Sequence, residues 1–439
     1  MTLDTATCQE LLQDMDPVLT YGKVSKVVGL VVEGQGIKAP LGSVCQLLPD
    51  DPNRNTPIDA EVVGFRNNSI LFMPYEDMRG IKPGSLIQNT SVPPLFPVGN
   101  RYLNQAVDAF GNPLQSDATI TPRKYYPLYA KPINPLERPR IDEPLDVGIK
   151  SINGLLTLGK GQRVGIMAGS GVGKSTAMGM MARYTEADVN VIALVGERGR
   201  EVLEFMDKDL GPEGMAKSTL VVATSDQSPL IRMRAAYAAT AMAEYFRDQG
   251  KDVLLMMDSV TRFAMAAREV GLAAGEPPTT RGYTPTVFSH LPKLLERSGK
   301  NRKGSITGIY TVLVEGDDFN EPIADATRSI LDGHIVLTRE LADKGHYPAI
   351  DVLKSISRLR KDVAPQEVIQ AGEQIIRLLA AYERAEDMIN IGAYVKGSNQ
   401  EIDKAIKLKD PINDFLRQNI EDKFTLQQSY QQLQALLHR

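Results

Sequence analysis

The stretch Arg163-Val-Gly-Ile-Met-Ala-Gly-Ser-Gly-Val-Gly-Lys-Ser-Thr176 decides how the rest of the chain is read. An apolar run of strand length enters a glycine-rich turn, and Gly173-Lys174-Ser175 then opens a helix over Thr176–Tyr184. Glycines at 169, 171 and 173 permit backbone dihedrals that turn successive N–H groups toward one point, which is what an extended polyphosphate requires. The helix N-terminus adds partial positive charge at the same place. Lys174 has the reach for β- and γ-phosphates, and the Ser175 hydroxyl suits one position of a Mg²⁺ shell. Gly169, Ser170, Gly171, Val172, Gly173, Lys174, Ser175 and Thr176 are therefore the candidate ATP-binding residues. The first position of the strict G-x-x-x-x-G-K-[ST] pattern is Ala168, a mild change where the turn leaves the strand.

A phosphate loop needs an acidic residue at a neighbouring strand end to order the metal. Asp252-Val-Leu-Leu-Met-Met-Asp258 supplies one: the run is a buried strand, and Asp258 emerges at its carboxyl end, where open α/β sheets bind ligands. A lone aspartate there would as readily end a strand; the phosphate loop upstream favours Asp258 as a metal residue beside Ser175. Hydrolysis also needs a group that polarises water. Glu197, in Val191-Ile-Ala-Leu-Val-Gly-Glu-Arg-Gly-Arg200, follows another buried strand and is the candidate base. Glu201 and Glu204 compete with it, and read as surface partners of Arg198 and Arg200 on the helical stretch beyond.

Around this core the texture changes along the chain. Residues 1–20 carry Leu3, Leu11, Leu12, Met15 and Val18, consistent with a short amphipathic helix or a frayed regulatory terminus. From Tyr21, short β-branched runs (Lys23–Val32, Ser43–Leu47, Ala60–Gly64, Ser69–Met73) alternate with turn signals and predict a small all-β barrel or sandwich, 21–95, acting as a scaffold for assembly. A proline-dense connector follows, incompatible with regular helix. Between Val147 and Arg360 the runs Arg163–Ala168, Val189–Val195, Thr219–Ala223, Val253–Met257 and Thr307–Leu313 alternate with helical stretches such as Leu230–Gln249. That alternation predicts a parallel sheet covered by helices. With the connector, this ATPase domain spans 96–364. After Pro365 the spacing of Val368, Ile375, Leu378, Leu379, Tyr382, Ala385 and Ile389 is helical, with breaks expected at Gly392–Ser398 and Asp410–Pro411, so 365–439 reads as a helical domain.

Composition narrows the function. The 439 residues are 42% hydrophobic and 24% charged, ordinary for a globular chain. Fifty Lys+Arg against 54 Asp+Glu leave a net charge of −4, which gives no support to bulk nucleic-acid binding. Two cysteines and four scattered histidines offer neither a disulfide framework nor a zinc cluster. No apolar run approaches the length of a membrane span and no leader sequence is read, so a cytoplasmic protein is expected.

Five motifs together carry a family resemblance: Ala168-Gly-Ser-Gly-Val-Gly-Lys-Ser175, Val195-Gly-Glu-Arg-Gly-Arg-Glu201, Asp258-Ser-Val-Thr-Arg262, Pro278-Thr-Thr-Arg-Gly-Tyr283 and Tyr347-Pro-Ala-Ile-Asp351. They resemble the catalytic subunits of the rotary ATPases, along nearly the whole chain. Within that superfamily the sequence is most similar to the type III export ATPases. Ala385-Glu-Asp-Met-Ile-Asn-Ile-Gly-Ala-Tyr-Val-Lys-Gly-Ser398 looks more like the flagellar than the injectisome version. The resemblance implies an N-terminal β-barrel, a RecA-like P-loop domain and a helical tail. It implies a homohexamer that hydrolyses MgATP at subunit interfaces and energises export of flagellar proteins. Two further residues follow from it alone: Arg358, in Ser355-Ile-Ser-Arg358, as an arginine finger acting on the neighbouring subunit, and Tyr347 as the aromatic that stacks on adenine. Without it, Arg358 reads as a surface arginine and Tyr347 equally as a core anchor. Implied partners are a stator-like regulator, a central-stalk protein, the membrane export gate, and exported proteins with their chaperones, placing the ring peripherally at the inner face of the cell membrane. Asn104-Gln-Ala-Val107 departs from the family's usual Gly-Arg-Val core.

Other functions share this nucleotide core. An injectisome ATPase and an ATP synthase catalytic subunit have the same chemistry. A non-catalytic ring subunit would lack the water-activating carboxylate, which Glu197 supplies. A hexameric RNA translocase wants aromatic and basic side chains on its β-domain; Tyr21–Val92 has few aromatics and no basic cluster, so no specific nucleic acid is expected.

Overall fold

The computed structural model describes residues 20–50, 56–90, 93–115, 119–314, 318–319 and 321–437. The amphipathic helix expected in the first twenty residues lies outside the described residues. Two units form, Met1–Pro94 with Glu269–Pro277, and Leu95–Arg268 with Pro278–Arg439.

The first unit holds a closed barrel. Its strands are β1 (Tyr21–Val28), β2 (Val31–Gln35), β3 (Val44–Leu48), β4 (Ile58–Arg66), β5 (Ser69–Pro74) and β6 (Leu86–Asn89), in the order β1-β2-β5-β4-β3-β6. The run Lys23–Val32, read as one strand, is a hairpin: Val28 pairs with Val31 across a two-residue turn in which Gly29 has φ +58°. Only a residue without Cβ takes that conformation cheaply, so the turn sits at the glycine. Strand β6, absent from the sequence expectation, pairs with both β1 and β3 and closes the barrel, which removes the exposed edges. Val24, Val32, Leu47, Ile58, Val62, Phe72 and Ile87 fill its interior.

In the second unit, β7 (Leu95–Val98) and β9 (Lys124–Pro127) form a two-stranded ribbon within the proline-dense segment. Between them β8 (Gln105–Val107) joins the main sheet as an edge strand, a role the connector's sequence did not announce. The main sheet otherwise comprises β10 (Arg163–Ala168), β11 (Val189–Glu197), β12 (Ser218–Thr224), β13 (Asp252–Asp258), β14 (Ser305–Leu313), β15 (Gly333–Leu337) and β16 (Ile350–Ser357), ordered β16-β15-β10-β14-β13-β11-β12-β8. Every pairing along this path is parallel except β15 with β16, so the predicted parallel sheet carries one antiparallel edge. The expected strands lie where they were read, within two residues, because buried parallel strands are continuous apolar runs. The chain leaves β14 and crosses to the far side of β10 to make β15. That reversal places the end of β10 at a topological switch point.

Helices cover the sheet: α1 (Lys150–Leu155), α2 (Lys174–Tyr184), α3 (Gly199–Glu204), α4 (Pro229–Asp248), α5 (Val260–Ala274) and α6 (Pro285–Leu295). The tail is wholly helical, as α7 (Gln366–Asn390), α8 (Gln400–Leu416) and α9 (Leu426–Leu436). Asn399 caps α8 by accepting from Glu401 and Ile402, and Thr425 opens α9 with a capping box to Gln428. The break expected at Asp410–Pro411 does not occur: Pro411 lies inside α8. Ala405, Leu408, Ile412, Phe415 and Leu416 bury one face of that helix, and this burial offsets the bond that proline forfeits. These side chains join Ile152, Leu155, Val164, Ile166 and Ile375 in one continuous core. Among the described residues no helix is long and apolar enough to cross a membrane.

Candidate active site

Strand β10 ends at Ala168, and the loop that follows turns on Gly171 (φ +77°) and Gly173 (φ +85°), both left-handed. These dihedrals fold the loop back on itself and deliver Lys174 and Ser175 into the first turn of α2. The loop borders a cavity of about 850 Å³ lined by Gly169, Ser170, Gly171, Gly173, Lys174, Ser175, Thr176, Glu197, Arg198, Glu201, Arg262 and Arg339, among others. That volume is in the range of small-molecule sites. Val172 is buried, its side chain in the core and not in the cavity.

Three charged groups meet at the lysine. Lys174 Nζ lies 2.5 Å from Asp258 Oδ1 and 3.9 Å from Glu197 Oε1. Thr311 Oγ1, from the adjacent β14, donates to the same Asp258 oxygen at 2.7 Å and holds it in place. Glu197 Oε1 is buried and has no hydrogen-bond partner. Burial, then the nearby charge of Asp258, pushes the Glu197 carboxyl up to about 7, although Lys174 opposes the shift. A carboxyl that titrates near neutrality in a cleft is a candidate proton acceptor.

The backbone aims Glu197. The register of β11 against β12 shifts between Val195 and Glu197, and Gly196 takes φ +73°. The bulge turns the following side chain toward the cavity. Gly196 also admits Arg262: a Cβ there would stand 3.0 Å from that of Arg262, whose Nε is buried without a partner.

Glu201 does form the expected pair with Arg198, at 3.5 Å, and Glu204 pairs with Arg200 at 3.1 Å. Glu201 also lines the cavity. The neighbouring Glu197 carboxyl, then Arg198, holds the Glu201 carboxyl below its usual range, while burial pushes Glu197 up. Arg339 and Thr311 were not singled out in the sequence, Arg262 only closed a quoted motif, and Arg198 was read only as a surface partner. Each gains its place from a strand or helix end that only the sheet order brings to the loop.

The remaining two candidates stand apart. Tyr347 is half-exposed on the other side of the loop; a Cβ on Gly173 would contact its ring at 3.5 Å. Its carbonyl accepts from the Gln418 amide. Arg358 is exposed after the edge strand β16, donates to the Arg328 carbonyl at 3.3 Å, and does not line the cavity of its own chain.

A parallel sheet with a glycine-rich loop at its switch point, a lysine on that loop and two carboxylates from neighbouring strand ends defines a P-loop ATPase. Residues 24–91, 148–357 and 364–435 match, in turn, the beta-barrel domain of the ATP synthase alpha/beta family, its nucleotide-binding domain, and the type III secretion EscN ATPase C-terminal domain. The flagellum-specific ATP synthase of Bacillus subtilis is 52% identical over 436 residues, 99% of each chain. The solved structure of the assembled ATPase EscN from the enteropathogenic E. coli type III secretion system superposes with a TM-score of 0.90 at 45% identity, covering 95% of this chain and all of that one. EscN in complex with its central stalk EscO gives 0.87 at 44% identity, with the same coverage. The chain belongs to the ATP synthase alpha/beta family, in the branch that carries the type III secretion C-terminal domain.

Proposed function

We propose that this chain hydrolyses MgATP as a homohexameric ring and energises export of flagellar proteins through a type III apparatus. The observation that carries the reading is the convergence of Lys174, Asp258 and the buried Glu197 carboxyl at the mouth of the phosphate loop. A flagellar assignment is favoured by the B. subtilis relative, matched end to end. An injectisome ATPase is the second reading, favoured by the EscN superposition.

The loop amides and Lys174 bind the triphosphate. Lys174 is paired with Asp258, so incoming phosphates compete for its ammonium and free that carboxylate. Among the described residues no three acidic, His or Cys side chains cluster to cage a metal. That suits Mg²⁺, which keeps several waters and takes one or two protein ligands plus phosphates. The Ser175 hydroxyl and Asp258 carboxylate would hold it, and when bound it neutralises charge on the β- and γ-phosphoryl oxygens. Deprotonated Glu197 accepts a proton from the attacking water as that oxygen approaches the γ-phosphorus, and the released ADP oxygen takes up the compensating charge. Arg358, outside its own chain's cavity, acts on the neighbouring subunit's γ-phosphate, and Tyr347 stacks on adenine. The central-stalk partner is proposed from the EscN–EscO complex. A stator-like regulator, the export gate and chaperoned cargo complete the proposed partners, holding the ring at the inner face of the membrane.

The test is expression in a flagellated bacterium that lacks its own export ATPase. Restored motility, lost again with Glu197→Gln, is the expected result. Rescue of injectisome secretion without motility would move the assignment to the second reading.

A further inference from the structure

Strand register sets Arg339 beside the phosphate loop. Strands β10 and β15 are parallel neighbours, and Ala168 at the end of one lies opposite Leu337 at the end of the other. Two residues past each end stand Ser170, on the loop, and Arg339, which opens the short helix Arg339–Asp343. Equal steps from a shared register keep the two chains abreast. Arg339 Nη2 accordingly donates to the Ser170 carbonyl at 3.1 Å. Among the described residues this is the only hydrogen bond or ion pair that the Arg339 side chain forms. The adjacent Glu340 is taken by Lys344, at 2.7 Å. An exposed guanidinium on the cavity rim thus spends its one contact on the backbone of the loop.

A trans peptide is planar, with its carbonyl and N–H on opposite sides. Holding the Ser170 carbonyl toward β15 therefore turns the Gly171 N–H the other way. That is the side of β10 from which β14, β13 and β11 bring Thr311, Asp258 and Glu197. Among the described residues the Gly171 amide has no hydrogen-bond partner. Gly171 sits at φ +77°, and without a Cβ it does little to stop the peptide before it from swinging.

We propose that Arg339 is a positioning residue for nucleotide binding, fixing the Ser170–Gly171 peptide so that the Gly171 amide faces the bound phosphates. Loop amides of this kind cradle the α- and β-phosphates. A peptide already held in place need not be ordered when the nucleotide arrives, which lowers the cost of binding. Both phosphates are common to ATP and ADP, so the hold serves substrate and product alike. Arg339 thereby differs from Glu197, whose proposed work is at the γ-phosphate and in the chemical step. The proposal rests on the reading of this cavity as the ATP site.

Steady-state MgATP hydrolysis by the full chain tests it, with MgADP affinity read by a fluorescent ADP analogue and folding by thermal melting. Arg339→Met keeps the reach of the side chain and removes its donors. It should raise KM for MgATP and the dissociation constant of the MgADP analogue by the same factor, about five- to tenfold, with kcat within about twofold of the parent. Arg339→Lys keeps a donor and should stay within about threefold of the parent in both affinities. A charge acting through space fades with salt, whereas a hydrogen bond persists. The ratio of Arg339→Met to parent affinity should therefore change less than about twofold between about 0.1 and 0.5 M KCl. Because the side chain is exposed, melting should move by less than about 2 °C. Parental affinities in Arg339→Met, a loss confined to kcat, an effect that vanishes at high salt, or a lysine variant as weak as the methionine would each overturn the proposal. So would a lowered melting point with both affinities intact, which would make the contact purely structural. Failure of the underlying reading looks different, since Lys174→Ala would then keep parental KM and MgADP affinity whatever the Arg339 series does.

Discussion

At the residue scale, the proposed role of Glu197 predicts the pH behaviour. Its folded pKa near 7 stands above the ordinary carboxylate value of 4.5, because burial and Asp258 disfavour its charge. As the proposed base it works only when deprotonated, so kcat/KM should fall about tenfold per pH unit below about 7. Glu197→Gln should lower kcat by roughly 10²–10⁴ and flatten that acid limb; an unchanged limb in the glutamine variant would assign it to another group. Stability follows from the same shift. A raised folded pKa means the fold loses stability as pH rises from the unfolded value of about 4.5 through 7, where a buried charge must form. Glutamine never ionises, so Glu197→Gln should melt about 2–4 °C above the parent at pH 8, with the gain vanishing toward pH 4.5. The sequence made Glu197 legible because a carboxylate after a buried strand is conspicuous. That Glu201 shares its cavity was hidden, since the Gly196 bulge that turns Glu197 inward is a matter of strand pairing.

Elements differ in how plainly they are written. Strands β10, β11, β12, β13 and β14 are buried on both faces and stood out as unbroken apolar runs. The edge strand β16 is only partly buried, with exposed Lys354 and Ile356 along it, and β8 is three residues in a proline-dense segment. Neither carries a periodic signal strong enough to read alone. Contacts between distant elements are least visible of all. Arg297, with a side chain fully buried, donates Nε and Nη2 to Glu244 on α4 at 2.9 and 2.6 Å, and Nη1 to the Leu128 carbonyl at 2.6 Å. One guanidinium thus joins the chain after α6, helix α4 and the proline-dense segment, across separations of 53 and 169 residues. Removing one partner of a buried pair strands the other charge, so Arg297→Ala should cost about 3–5 kcal/mol in denaturant unfolding. A leucine at 244 together with a methionine at 297 should recover much of that loss, since no charge is then left unpaired. A loss below about 1 kcal/mol for Arg297→Ala would show that solvent reaches the pair.

For the whole molecule, the proposed mechanism leaves the cavity of one chain incomplete without a neighbour. Lys174, Asp258 and Glu197 converge in it, while Arg358 sits exposed elsewhere on the chain. In a head-to-tail ring every subunit presents one face to a neighbour's different face, so a residue absent from its own site can complete the next one. Lys174→Ala and Arg358→Ala should each abolish most turnover, the second by about 10³–10⁵ if the guanidinium carries transition-state charge. Mixed before assembly, the two variants build some interfaces with an intact phosphate loop on one side and an intact arginine on the other. At equal proportions and random order such interfaces make up roughly a quarter of the total, the product of two one-half chances, so activity should recover toward that fraction. Recovery should peak near equal mixing and vanish at either extreme. Joint rings that stay as inactive as the single variants at every ratio would place Arg358 outside catalysis and leave each chain to work alone.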